Sequence, residues 1–147
     1  MAGTVKAVVI DANLTVALLT QLPYSERTVQ LVREWRMQRV SLYAPILWEY
    51  ELATALRKMV AAATLNLQQA DVLLGRLQAI GVKRIAPDLA LHQQALRWAG
   101  RLGQYAAYDA QYLALAERLG AEFWTADKSM IERARQEGVD WVRGVTA

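Results

Sequence analysis

The sequence predicts an α/β protein in three layers: a central, mostly parallel sheet of four to five strands with helices on both faces. Three observations carry that reading. Val8, Val9 and Ile10 form an apolar run with no polar alternation, the pattern of a strand covered on both faces. Glu122-Phe123-Trp124-Thr125 forms a second strand-like segment, and both segments end at an aspartate, Asp11 and Asp127. Between them, short β-branched stretches alternate with amphipathic helical ones, the order that builds parallel crossovers.

The elements follow in turn. The first strand is expected over Val5 to Ile10, with Asn13 capping a helix that carries Val16, Leu18 and Leu19 to the turn at Pro23. Ser25 is the next expected cap, opening a helix through Val29, Leu31, Val32 and Trp35. A second strand, Val40 to Tyr43, is closed by Pro45, and a long helix runs from Ile46 to Ala62 with Leu52, Ala55, Leu56 and Met59 on one face. Asn66 and Gln69 have the spacing of a capping box for a helix through Val72, Leu73 and Leu77 that ends near Gly81. Val82 to Ile85 is the third strand. Pro87 and Asp88 start a helix ending at Gly100, and a second helix covers Ala107 to Leu119, with Gly120 just past its end. The fourth strand is Glu122 to Thr125, a helix follows from Ser129 to Glu137, and Trp141-Val142 is a last edge strand.

A chain of 147 residues with this single pattern reads as one domain, residues 1–147, able to bury its own core. The composition, 54% hydrophobic and 21% charged, excludes a disordered chain. Asp11 interrupts the N-terminal apolar run too early for a signal peptide, and no apolar stretch is long enough to cross a bilayer. A cytoplasmic protein is the expectation. The absence of cysteine removes disulfides and thiolate metal sites from consideration. A net charge of +3, carried mostly by arginine, is compatible with phosphate-bearing partners and equally with ordinary solvated helix faces.

Most of the acids have structural explanations. Asp71, Glu117, Glu132 and Glu137 fall on helix surfaces, Asp140 lies in a turn, and Asp88 is placed to cap a helix. Asp11 and Asp127 differ, because each is delivered by a buried strand to the carboxyl edge of the sheet, where open α/β folds place their chemistry. Asp109 lies early in an otherwise apolar helix. On the long helix from Ile46 to Ala62, Glu49 and Glu51 flank the same apolar stripe from opposite sides, and periodicity does not choose between them.

Four stretches taken together resemble the PIN-domain ribonucleases, and within them the VapC-type toxins of prokaryotic toxin–antitoxin pairs. They are Val9-Ile10-Asp11-Ala12-Asn13, Glu51-Leu52-Ala53-Thr54-Ala55-Leu56-Arg57, Tyr108-Asp109-Ala110-Gln111-Tyr112-Leu113-Ala114-Leu115-Ala116 and Thr125-Ala126-Asp127. Each is weak alone, but all four stand in family order from about residue 8 to residue 130. The resemblance implies a PIN-like fold in which Asp11, Glu51, Asp109 and Asp127 are both the catalytic acids and the metal ligands. It selects Glu51 over Glu49, because the family's acid precedes the apolar-Ala-x-Ala-Leu-Arg run. Asn13 and Thr125 match positions where the family carries small polar or hydroxyl side chains. Glu49 is an additional acid beside the expected one, and residues 60–100 match in helical character only.

The chemistry implied is hydrolysis of RNA phosphodiester bonds. Two carboxylates ~5 Å apart repel by about 3 kcal/mol at an effective dielectric near 20, so a converging set favours a bound divalent cation. An all-oxygen set suits Mg2+ or Mn2+ rather than zinc. The resemblance further implies a homodimer and a cognate antitoxin with a segment lying in the cleft. Two other classes compete: a receiver-like signalling module, which would need adjacent acids where Asp11 is followed by Ala12, and a PIN scaffold that binds RNA or a partner without cutting. With His92 the one histidine and no cysteine in the chain, Cys–His catalysis is excluded and a Ser–His–Asp triad has no independent support. Gly100 and Gly103 follow a helix rather than a strand, so phosphate-cradling glycine loops are absent too. The five tryptophans are expected in the core or at interfaces, with Trp48 and Trp98 the candidates for a partner groove.

Overall fold

The computed structural model describes residues 7–104 and 107–145. The elements are β1 (Ala7–Ile10), α1 (Ala12–Leu19), α2 (Ser25–Met37), β2 (Ser41–Pro45), α3 (Leu47–Ala61), α4 (Leu67–Gly75), α5 (Leu77–Ile80), β3 (Val82–Ile85), α6 (Leu89–Arg101), α7 (Tyr108–Leu119), β4 (Glu122–Thr125), α8 (Lys128–Gln136) and β5 (Val142–Gly144). Val5 and Lys6, expected in the first strand, lie outside the described residues. All five strands run parallel in the order β3-β2-β1-β4-β5. A receiver-like chain would instead follow the order 2-1-3-4-5, with β3 beside β1.

The strand order explains the composition of β1. As the middle strand it is covered on every side, and Val8, Val9 and Ile10 are at most 1% exposed. After β3 the chain reverses its direction of travel across the sheet, and right-handed crossovers therefore put later helices on the face opposite the earlier ones. Adjacent residues of β4 show both faces. Phe123 stacks on Tyr112 of α7 with ring centroids 5.4 Å apart, while Trp124 meets Trp35 of α2 edge-on at 5.5 Å.

Several local expectations are met in detail. Asn66 and Gln69 form the reciprocal capping box of α4, and the Asp88 carboxylate caps α6 by accepting from Leu91 N at 2.8 Å. Asp88 also receives both arms of the Arg118 guanidinium from α7, at 2.8 and 2.9 Å, which holds its carboxyl down at about 2 and ties the two helices together. Gly120 ends α7 at φ 61°, a left-handed turn that β-carbon-bearing residues adopt at a cost.

Three expectations are corrected. Asn13 is already inside α1, and Asp11 is the cap: its backbone is extended and its side chain accepts from Leu14 N. Ser25 begins α2 rather than capping it. Its hydroxyl donates to the Thr20 carbonyl and accepts from Leu22 N, closing the loop before the helix. Trp48 and Trp98 are core residues, 0% and 2% exposed, and offer no groove to a partner. The rest of the tryptophan expectation holds, with Trp35 buried and Trp124 and Trp141 packed against the core.

Trp48 has a further task. Its indole Nε1 donates to the Thr15 hydroxyl at 2.8 Å, inside the core, pinning α3 to α1. Thr15→Val keeps the side-chain shape but leaves the buried indole N–H without an acceptor. The expected loss is about 1–3 kcal/mol of unfolding free energy by urea denaturation, and a variant as stable as the natural chain would refute the anchoring role.

Candidate active site

The carboxyl ends of β1 and β4 adjoin at the point where the chain changes its direction of winding, the position at which open parallel sheets form a crevice. A small cleft of about 50 Å³ lies there, and Asp11, Glu51, Asp109 and Asp127 all line it, with Asn13, Tyr112 and Thr125. Four separate elements supply the acids. Asp11 follows β1 and Asp127 follows β4, Glu51 lies in the second turn of α3, and Asp109 lies in the first turn of α7. The chain segments that the sequence singled out thus meet in one place. Glu49 does not join them: it is paired at the surface with Arg84 at 2.8 Å. His92 is exposed on α6, against Gln111.

The set is graded in depth. Asp11 is 8% exposed at the floor, Glu51 and Asp127 are half-buried, and Asp109 is on the solvent side. Asp11 Oδ1 accepts from Leu14 N at 2.9 Å and Oδ2 accepts from the Thr125 hydroxyl. Thr125, itself 1% exposed, also accepts from Asp127 N at 3.0 Å, so one hydroxyl links the two strand-end acids. Asp127 in turn caps α8, with Oδ1 accepting from Ser129 N and Met130 N at 2.9 and 3.2 Å. Each strand-end aspartate therefore serves as the N-cap of the helix that follows, which fixes its side chain at the cleft.

Glu51 Oε1 accepts from the Tyr112 hydroxyl at 2.6 Å. Periodicity marks Tyr112 as an apolar core position of α7, and nothing in the sequence identifies the role of its hydroxyl. The ring meets that description, being 2% exposed, while the oxygen reaches the cleft.

Electrostatics follow the same geometry. Burial pushes the Asp11 carboxyl up to about 7; the Glu51 charge adds to this, while the Thr125 and Leu14 hydrogen bonds oppose it. Burial likewise raises Glu51, where the Tyr112 hydrogen bond counters and Asp109 adds repulsion. Asp109 is raised by burial and then by Asp127, with Arg133 acting against both. The Tyr112 phenol is driven far up by burial and by the neighbouring Glu51 charge, so it stays a hydrogen-bond donor.

The convergence is looser than a ready-made ion cage, since no group of three or more His, Asp or Glu among the described residues is gathered at ligating distance. The donor chemistry still fits a hard cation. Every acid is an oxygen donor, three of the four are held above their ordinary range, and Mg2+ retains several waters and needs only one or two direct carboxylates.

Comparison with known proteins identifies the family of the fold. Residues 8–136 match the PIN domain family, and the chain belongs to that family of nucleases. No curated protein matches the sequence. Among solved structures, a protein from Pyrobaculum aerophilum is 23% identical with a TM-score of 0.68, over 95% of this chain and 83% of its own. The Mycobacterium tuberculosis toxin VapC20, described as cleaving the sarcin-ricin loop, is 15% identical with a TM-score of 0.63, over 85% of this chain and 94% of its own. VapBC-1 from nontypeable Haemophilus influenzae is 16% identical with a TM-score of 0.61, over 94% of this chain and 96% of its own. At these identities the likeness is one of fold.

Asp11 supplies a test that does not depend on activity. With its folded value near 7 and an ordinary value of 3.8, the folded state binds the extra proton between those limits, and stability falls as pH rises through them. In a chelating buffer, Asp11→Asn is expected to be more stable than the natural chain above pH 7 by on the order of 1–4 kcal/mol, with the advantage gone near pH 4. Urea midpoints measured across that range decide it, and an advantage independent of pH would count against a strained carboxylate.

Proposed function

We propose that the chain is a metal-dependent endoribonuclease acting as the toxin of a type II toxin–antitoxin pair. One observation carries the reading: four acids from four elements line a single cleft at the switch point of a PIN-domain sheet. A solved structure of the same fold described as a sarcin-ricin loop cleaving toxin, together with the likeness to VapBC-1, supports the biological setting. Asp11, Glu51, Asp109 and Asp127 would hold Mg2+ or Mn2+. A cation there supplies activation of water and stabilisation of the charge that develops on the phosphodiester.

The chain's own side chains do the positioning. Asp11, locked by Thr125 and Leu14 N at the floor, fixes the deepest negative charge, and Thr125 transmits that placement to Asp127. Glu51 is held from the side by Tyr112. Asp109, on the solvent side, is the acid an arriving RNA meets first. The excess of negative charge also suits a basic segment of a cognate antitoxin lying in the cleft. Homodimerisation and residence in the cytoplasm complete the proposal. No helix among the described residues is long and apolar enough to cross a membrane.

Purified protein is expected to cleave RNA with Mg2+ or Mn2+ and to lose that activity in EDTA. Asp11→Asn and Asp109→Asn should each lower the rate by about 10²- to 10³-fold, the usual effect of losing one preorganised electrostatic contact, with unchanged circular dichroism. Undiminished cleavage by either folded variant would reject the assignment.

A further inference from the structure

Tyr112 is an unusual neighbour for an acid at the edge of a cleft. Its ring is fixed in the core, 2% exposed and stacked at an interplanar angle of 24° on Phe123 of the adjoining strand. Its hydroxyl, carried on α7, spans 61 positions of sequence to Glu51 on α3 at 2.6 Å. A tyrosine packed this way has almost no freedom, so the bond dictates the orientation of the carboxylate rather than following it. Among the described residues, Glu51 Oε1 takes the phenol and no protein donor reaches Oε2.

We propose that Tyr112 is a positioning residue that makes Glu51 a one-oxygen ligand, and that this bond sets the preference of the site for small six-coordinate cations over Ca2+. The inference rests on the metal-dependent reading above and deepens it. Mg2+ and Mn2+ take octahedral sets in which a carboxylate gives one oxygen, whereas Ca2+ accepts six to eight oxygens and readily takes both oxygens of one carboxylate. The phenol draws electron density from Oε1 and fixes the plane of the carboxylate, so Oε2 is the oxygen Glu51 offers most readily to a cation. Releasing Oε1 lets the same carboxylate chelate through both, a geometry that only the larger ion accommodates well. The positions of the other acids reinforce the pattern. Asp11 has both oxygens engaged by Leu14 N and Thr125, and Asp127 has Oδ1 engaged by two backbone amides. Hydrogen bonds thus fix the carboxylate orientation at three of the four acids while leaving each a lone pair for a cation.

The test is calorimetric titration of the chain with MnCl2 and separately with CaCl2, without RNA, for the natural sequence, Tyr112→Phe, Glu51→Gln and the double variant. Tyr112→Phe is expected to weaken Mn2+ about tenfold, the scale seen when a ligand loses its outer hydrogen bond, while Ca2+ weakens less or tightens. In the Glu51→Gln background the same substitution should change Mn2+ affinity by less than about twofold, because its effect passes through Glu51. The double variant replaces the carboxylate that Tyr112→Phe leaves without its donor by a neutral amide that is cheaper to leave unpaired, so the comparison with Glu51→Gln survives even if Tyr112→Phe folds poorly. Equal weakening of both ions, or a full loss in the Glu51→Gln background, would overturn the proposal by showing a merely structural role. A natural chain that takes up no Mn2+ would overturn the metal reading itself, and the role of Tyr112 with it.

Discussion

A buried carboxylate at the end of the central strand is the constraint on which the site depends. Asp11 is nearly sealed from solvent, and burial alone would drive it to its neutral form. Two donors oppose that tendency, Leu14 N from the helix it caps and the hydroxyl of Thr125 from the next strand. The first is local to the turn into α1, and the second is available because β4 lies parallel to β1 in a register that sets Ile10 beside Trp124, one residue short of Thr125. The sheet order, the turn into α1 and the first acid of the cleft are therefore one arrangement rather than three.

The helices bring in the remaining acids by ordinary packing. Glu51 owes its place to Trp48, one turn earlier on α3, whose indole is bonded to Thr15 on α1 and whose ring is fully buried. Asp109 owes its place to the apolar face of α7, where Ala110, Leu113, Ala114 and Ala116 are buried against the sheet. Small residues on that face let the helix approach closely, so that its first turn reaches the cleft. The stability of these elements comes from apolar burial, and the acids are carried along at the ends, where like charges accumulate at a cost to the fold.

Positive charge is distributed differently. Arg84, Arg101, Arg118, Arg135 and Arg143 are paired with acids at the surface, on Glu49, Glu137, Asp88, Glu132 and Glu122. Four of these five pairs join separate parts of the chain, as Arg118 joins α7 to α6, while Arg135 and Glu132 lie on the same helix. In the cleft, Arg133 alone opposes the raised state of Asp109. Surface acids paired with arginine contrast with the undercompensated acids of the cleft, as the proposed site requires.

The sequence by itself determined the strands and most helices, because hydrophobic period, capping residues and glycine stops are local properties. β3 and β4 fall where the apolar runs place them, and the Asn66–Gln69 box and the Asp88 cap form as their spacing requires. It also marked Asp11 and Asp127, since an acid after a buried strand is conspicuous without knowledge of its neighbours. Tertiary structure decided the rest. Whether Glu49 or Glu51 faces the cleft depends on which side of α3 turns toward β1 and α7, and helical period is blind to that. The hydroxyl of Tyr112 reads as core in the sequence because its ring is core; only the meeting of α7 with α3 gives its oxygen a partner. The same holds for Asp11, whose role as helix cap passed to it from Asn13 once the strand's exit angle was fixed.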